Sequence, residues 1–74
     1  MEGNIMLKIS LKEARKLFLE GEIIYLLPSN VEYKRGLEMK VYISKEKDNN
    51  FDEFVKSYKA TTGNNKISYY IKLD

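Results

Sequence analysis

The chain has 74 residues, 43 % of them hydrophobic and 12 % aromatic, and its 13 basic and 11 acidic side chains leave a net charge of +2. This composition argues for a globular domain against disorder or an acidic nucleic-acid mimic, and so small a positive excess is no nucleic-acid footprint by itself. With neither cysteine nor histidine, there is no disulfide framework, no thiolate metal site and none of the commonest general base.

A chain of this length is expected to form a single domain over 1–74, burying roughly 60–65 % of the surface its unfolded form exposes. No apolar run approaches the ~18 residues that a membrane span needs. Residues 1–4 show neither a basic region nor a long apolar segment, so no signal peptide is expected. Together with the absence of cysteine, this gives a cytoplasmic expectation. Lysine outnumbers arginine 11 to 2 amid abundant isoleucine, asparagine and tyrosine. That bias follows AT-rich codons and speaks to origin, not mechanism.

The elements follow in order. Over 5–9, Ile5, Leu7 and Ile9 alternate with Met6 and Lys8, the period of a half-buried strand. Ser10-Leu11-Lys12-Glu13 fits a capping box that opens a helix. Leu11, Ala14, Leu17 and Phe18 form its apolar stripe, Leu19 lies off it, and Gly21 ends it. Over 22–27, Glu22 leads into five consecutive apolar residues, Ile23 to Leu27, before Pro28-Ser29-Asn30 stops the run. This is the strongest core signal in the chain and reads as a strand with both faces covered.

A nine-residue connection, 28–36, comes next, long for a hairpin. The third strand alternates Leu37, Met39, Val41 and Ile43 against Glu38, Lys40, Tyr42 and Ser44. After a polar turn over 45–49, Asn50 caps a second helix with Glu53 at the capping-box position. Phe51, Phe54, Val55 and Tyr58 give that helix its stripe, Thr61-Thr62 is expected to fray it, and 63–65 turn the chain. The last strand alternates Ile67, Tyr69, Ile71 and Leu73 with Ser68, Tyr70 and Lys72.

The order β-α-β-β-α-β predicts an α+β fold, one sheet of three to four strands with two amphipathic helices on one face. It is ferredoxin-like or a reordered variant. One tension stands out: in the ferredoxin-like order the second strand lies at an edge, yet here it is the most apolar. A competing layout treats 5–9 as a lead-in to a three-stranded sheet.

Chemical motifs fail on mechanism. Asp48-Asn49-Asn50-Phe51-Asp52 opens like a calcium loop, but Glu53 replaces the turn glycine and Lys59 stands where the bidentate glutamate belongs. Gly63-Asn64-Asn65-Lys66 lacks the second glycine and the Lys-Ser/Thr pair of a P-loop. The carboxylate pairs Glu20/Glu22 and Asp52/Glu53 sit at helix ends and strand starts, where capping and solvation account for them. The chain therefore reads as non-enzymatic, with no catalytic residue, metal or cofactor.

Two surfaces remain. On the sheet face away from the helices, Lys40, Tyr42, Tyr70 and Lys72, joined by Tyr25, interleave aromatics with lysines as single-strand nucleic-acid binders do. Tyrosine and lysine also simply cover a solvated sheet. The connection carrying Tyr33, Lys34 and Arg35 places an aromatic among charges, as interface anchors are placed. The alternative is that Tyr33 folds back over the open end of the core.

The stretches Ile9-Ser10-Leu11-Lys12-Glu13-Ala14 and Ile24-Tyr25-Leu26-Leu27-Pro28-Ser29, then Phe51-Asp52, Val55, Tyr58 and a Tyr-rich closing strand, carry a resemblance. The chain resembles small, mostly uncharacterised accessory proteins of phages, prophages and plasmids in AT-rich Gram-positive bacteria. The resemblance implies a binding role, in some such proteins inhibition of host defence systems such as CRISPR nucleases, and it carries over no functional residue. The leading expectation is a protein-binding module acting on a host protein through Tyr33, Lys34, Arg35, Tyr42 and Tyr70. The alternative is a single-stranded nucleic-acid binder using Lys40, Tyr42, Tyr70 and Lys72. A homodimer that pairs edge strands or buries the tyrosine face is the third reading.

Overall fold

The computed structural model describes residues 5–34 and 37–73. Six elements follow one another: β1 (Met6–Ile9), α1 (Leu11–Leu19), β2 (Ile24–Pro28), β3 (Tyr42–Ile43), α2 (Phe51–Thr62) and β4 (Ile67–Lys72). Every strand pairing is antiparallel and the sheet order is β1-β4-β2-β3. The fold is thus a small α+β domain with four strands, β1 included.

This is the reordered variant and not the ferredoxin-like order, because β2 and β4 occupy the two central positions. The apolarity of 23–27 decides the matter physically: a strand with no polar face belongs between neighbours. Each β-α-β passage skips one strand, α1 leading from β1 to β2 past β4, and α2 from β3 to β4 past β2.

Local chemistry sets both helices. The Ser10 hydroxyl accepts from the Glu13 backbone N–H at 3.1 Å, and the Glu13 carboxylate accepts from the Ser10 backbone N–H at 3.0 Å, completing the capping box that opens α1. Past the C-cap Glu20, Gly21 takes φ +98°, a conformation in which a side chain would be strained. Asn50 caps α2 by accepting from the Glu53 N–H at 3.0 Å. Thr61 and Thr62 do not fray α2; they belong to it, the Thr62 hydroxyl donating to the Tyr58 carbonyl at 2.9 Å, and Gly63 closes the helix at φ +73°.

The helices cover one sheet face. Ile9, Tyr69 and Leu26 stand opposite one another across β1, β4 and β2, and all three are buried. Ile24 and Ile43 pair beside them, fully buried. Ala14 and Phe18 of α1 and Phe51 and Val55 of α2 close this core. The Phe18 and Phe51 rings lie 5.5 Å apart, and Phe51 and Tyr69 lie 5.9 Å apart. Aromatic contact therefore runs from α1 through α2 to the sheet.

Two strands depart from expectation. β1 is shorter than 5–9, and Ile5 and Leu7 are exposed on an edge instead of buried. The alternation over 37–44 yields only the two residues Tyr42–Ile43. The hydrogen bonds explain the second shortfall. The Leu26 N–H donates to the Val41 carbonyl at 3.0 Å, so the next donor aimed at β3 would come from residue 28. That residue is proline and has no N–H. Residues 37–40 are left without a ladder to join. β2 likewise begins at Ile24, with Glu22 and Ile23 exposed before it.

Candidate binding face

The outer face of the sheet is built by register. Lys8 of β1 faces Tyr70 of β4, Tyr70 faces Tyr25 of β2, and Tyr25 faces Tyr42 of β3. One row thus crosses all four strands as lysine and three tyrosines. Alternation along each strand puts this row opposite the face that holds Ile9, Tyr69 and Leu26.

The rings pack on one another. Tyr25 and Tyr42 have centroids 5.8 Å apart at 55°, and the Lys47 ammonium sits 4.3 Å from the centroid of the Tyr42 ring. From the β2–β3 connection, Tyr33 returns to lie against Tyr70, at 5.3 Å and 40°. Tyr33 therefore folds back onto the outer face, not over an open end of the core. Tyr70 retains only 7 % of its accessible surface although it is outside the core cluster. Burial, and secondarily the neighbouring Tyr33 phenol, raises the Tyr70 pKa above its ordinary value.

Beside this ring pair lies a cleft of about 380 Å³ whose lining includes Met6, Lys8, Ser29, Glu32, Ser68 and the two rings. Ser29 and Ser68, both in that lining, bring their hydroxyls to 3.4 Å of each other. The face thus offers aromatic edges, hydroxyls, an ammonium at each end of the row and one nearby carboxylate. Such a set can hold a polar-and-apolar protein surface. Among the described residues no cluster of three metal-ligating side chains is present.

The sequence-derived residues are distributed unevenly. Tyr33, Tyr42 and Tyr70 meet on this face, with Tyr25 linking the last two. Lys34 is exposed in the connection, where its carbonyl accepts from the Leu37 N–H at 2.9 Å; Arg35 lies outside the described residues. Lys40 is exposed but precedes β3, so it is not the strand residue expected. Lys72 is exposed and opposite Met6, two residues beyond Tyr70 along β4.

Lys8, Lys47 and Ser68 belong to the face and were not singled out from sequence. Alternation with Ile5, Leu7 and Ile9 puts Lys8 on the polar side of its strand, but only its pairing with Tyr70 places it in the tyrosine row. Both carboxylates of the calcium-like stretch have structural partners: Asp48 accepts from the Ser44 N–H at 3.3 Å, and Asp52 accepts from Arg15 at 2.8 and 3.0 Å. Among the described residues no helix is long and apolar enough to cross a membrane. No family model, curated protein or solved structure matches the chain.

Proposed function

We propose that the protein is a non-enzymatic binding module that engages another protein through the face centred on Tyr70, Tyr25, Tyr42 and Tyr33. The observation that carries this reading is the unbroken row Lys8–Tyr70–Tyr25–Tyr42 on the side of the sheet away from the helices, with Tyr33 laid against it. Tyr25, Tyr33 and Tyr42 are half-buried, and tyrosines held in place by ring contacts have little rotamer freedom left to lose on binding, the condition under which aromatic anchors dominate an interface. The resemblance to mobile-element accessory proteins directs the search to host proteins, CRISPR-type defence nucleases among them, with inhibition as the outcome.

The test compares partners captured from host lysate by the wild-type protein and by a Tyr33→Ala, Tyr42→Ala, Lys47→Ala variant. Tyr70 is left intact because it is buried. A specific partner should be lost by at least about tenfold in affinity, the scale of one to two anchor residues. Equal retention of that partner by the folded variant would reject this face.

A second reading draws on the lysines around the face, Lys8 and Lys47 at the ends of the row with Lys72 nearby. These suit a phosphate backbone, and single-stranded nucleic acid would then be the ligand. The tilt of the rings, 40° to 55° within each pair, weighs against it, since bases stack on open ring faces. Titration of short oligonucleotides at low salt separates the two readings, with binding weakened by Tyr42→Ala expected only under the second.

A further inference from the structure

We infer that the free edge of β1 joins a second copy of this chain, strand to antiparallel strand, with Leu7 on the twofold axis. β1 is an outermost strand of the sheet. The Leu73 N–H donates to the Ile5 carbonyl at 3.0 Å, and Leu7 faces Ile71 in the same ladder. Bonded and non-bonded pairs alternate in an antiparallel ladder. Ile5, Leu7 and Ile9 therefore turn their backbone groups toward β4, while Met6 and Lys8 turn theirs outward. That edge carries two donors and two acceptors with no strand beside it among the described residues. It carries no proline, and Lys8 is its one charge.

The side chains add an apolar reason. Ile5, Leu7 and Leu73 lie on the helix side of the sheet at 45 %, 47 % and 55 % exposure, at the margin that α1 and α2 leave uncovered. A second β1 would set Leu7 against Leu7 and Ile5 against Ile9, extending the core row across the junction.

The register follows from chemistry. Faces stay matched only if residues of like parity pair. Centring on Lys8 would oppose two ammonium groups. Centring on Leu7 pairs Met6 with Lys8 and lets all of 5–9 overlap, with Met6 and Lys8 exchanging the hydrogen bonds their outward groups can make. The axis then stands perpendicular to an eight-stranded sheet, and both tyrosine faces lie on one side. The contact is small and belongs to the weak, transient class of interfaces, so association is read at high protein concentration.

The chain contains no cysteine, so Leu7→Cys introduces a single thiol. In the inferred pairing the two residues 7 form a non-hydrogen-bonded pair with Cα atoms about 4.5 Å apart, within disulfide reach. Under a glutathione redox buffer Leu7→Cys should form a covalent dimer, while Lys56→Cys on exposed α2 should not. Lys8→Pro removes an N–H that points away from β4, so it blocks the edge without breaking the ladder. In sedimentation equilibrium the wild type should show a monomer–dimer equilibrium and Lys8→Pro only monomer. Wild-type protein that stays monomeric up to about 1 mM, the weak end of the affinity scale, would overturn the inference. So would a dimer that survives Lys8→Pro, or Leu7→Cys crosslinking no faster than the control. Should Lys8→Pro lose its fold by circular dichroism, the cysteine comparison decides. The readout is self-association alone and does not depend on the partner proposed for the tyrosine face.

Discussion

Tyr70 is held by two different surroundings: its backbone belongs to a central strand, and its ring sits on the face without helices, covered by Tyr33. Three phenols, those of Tyr58, Tyr69 and Tyr70, are raised above the ordinary value of 10.0, in each case chiefly by burial. For Tyr69 the Arg15 cation works against that shift and the Asp52 carboxylate with it. A phenol whose folded pKa exceeds its unfolded value contributes stability that is complete below the unfolded pKa and lost as pH rises through the folded one. The urea midpoint should therefore decline once pH passes 10, and Tyr70→Phe should make that decline shallower. Tyr33→Ala opens the Tyr70 ring to water, so it should lower the Tyr70 pKa in a phenolate absorbance titration. An unchanged alkaline limb in both variants would refute the packing described for this pair. The Arg15–Asp52 ion pair, by contrast, has side chains 50 % and 67 % exposed, and an exposed pair of this kind contributes at most about 1 kcal/mol.

At the scale of elements, what was legible in the sequence was what depends on neighbours in the chain. The Ser10 box, the Asn50 cap, the glycines after each helix and both apolar stripes follow from contacts a few residues apart, and both helices form where those signals put them. Residues 37–44 misled because alternation records a willingness to pair, not the presence of a partner. The partner strand ends in Pro28, whose missing N–H stops the ladder after Val41. The same limit hid Lys8 from the candidate site. Its place in the tyrosine row depends on pairing with Tyr70, far away in sequence, whereas Tyr42 and Tyr70 announced themselves by alternation within their own strands. Pro28→Val restores the donor opposite Met39. It should lengthen β3, protect the new amide at position 28 from hydrogen exchange, and add roughly 0.5–1.5 kcal/mol, the net worth of one backbone hydrogen bond. Rapid exchange at that amide would show that something other than the missing donor ends β3.

For the molecule as a whole, the placement of β2 is decisive, because the sheet has its apolar weight at its centre and its lean strands at its edges. β2 pairs along both sides, with β4 and with β3, while β1 and β3 each pair along one. A domain of this length has a total stability of about 4–11 kcal/mol at the usual 0.05–0.15 kcal/mol per residue, and one central side chain can account for much of it. Ile24 is 0 % exposed and faces Ile43, itself 0 % exposed. Truncation to alanine removes three carbons from a site that neighbours on both sides prevent from collapsing, which costs about 2–5 kcal/mol. Leu7 is apolar too but stands half-exposed at the sheet margin, so in dilute protein its truncation leaves no enclosed cavity and should cost less than about 1 kcal/mol. Ile24→Ala should accordingly lower the thermal midpoint by at least ~8 °C, at about 4–8 °C per kcal/mol for a domain of this size. Leu7→Ala should move it by a few degrees at most. Equal shifts for the two variants would mean that stability does not concentrate in β2, and would remove the reason for its central position in the sheet.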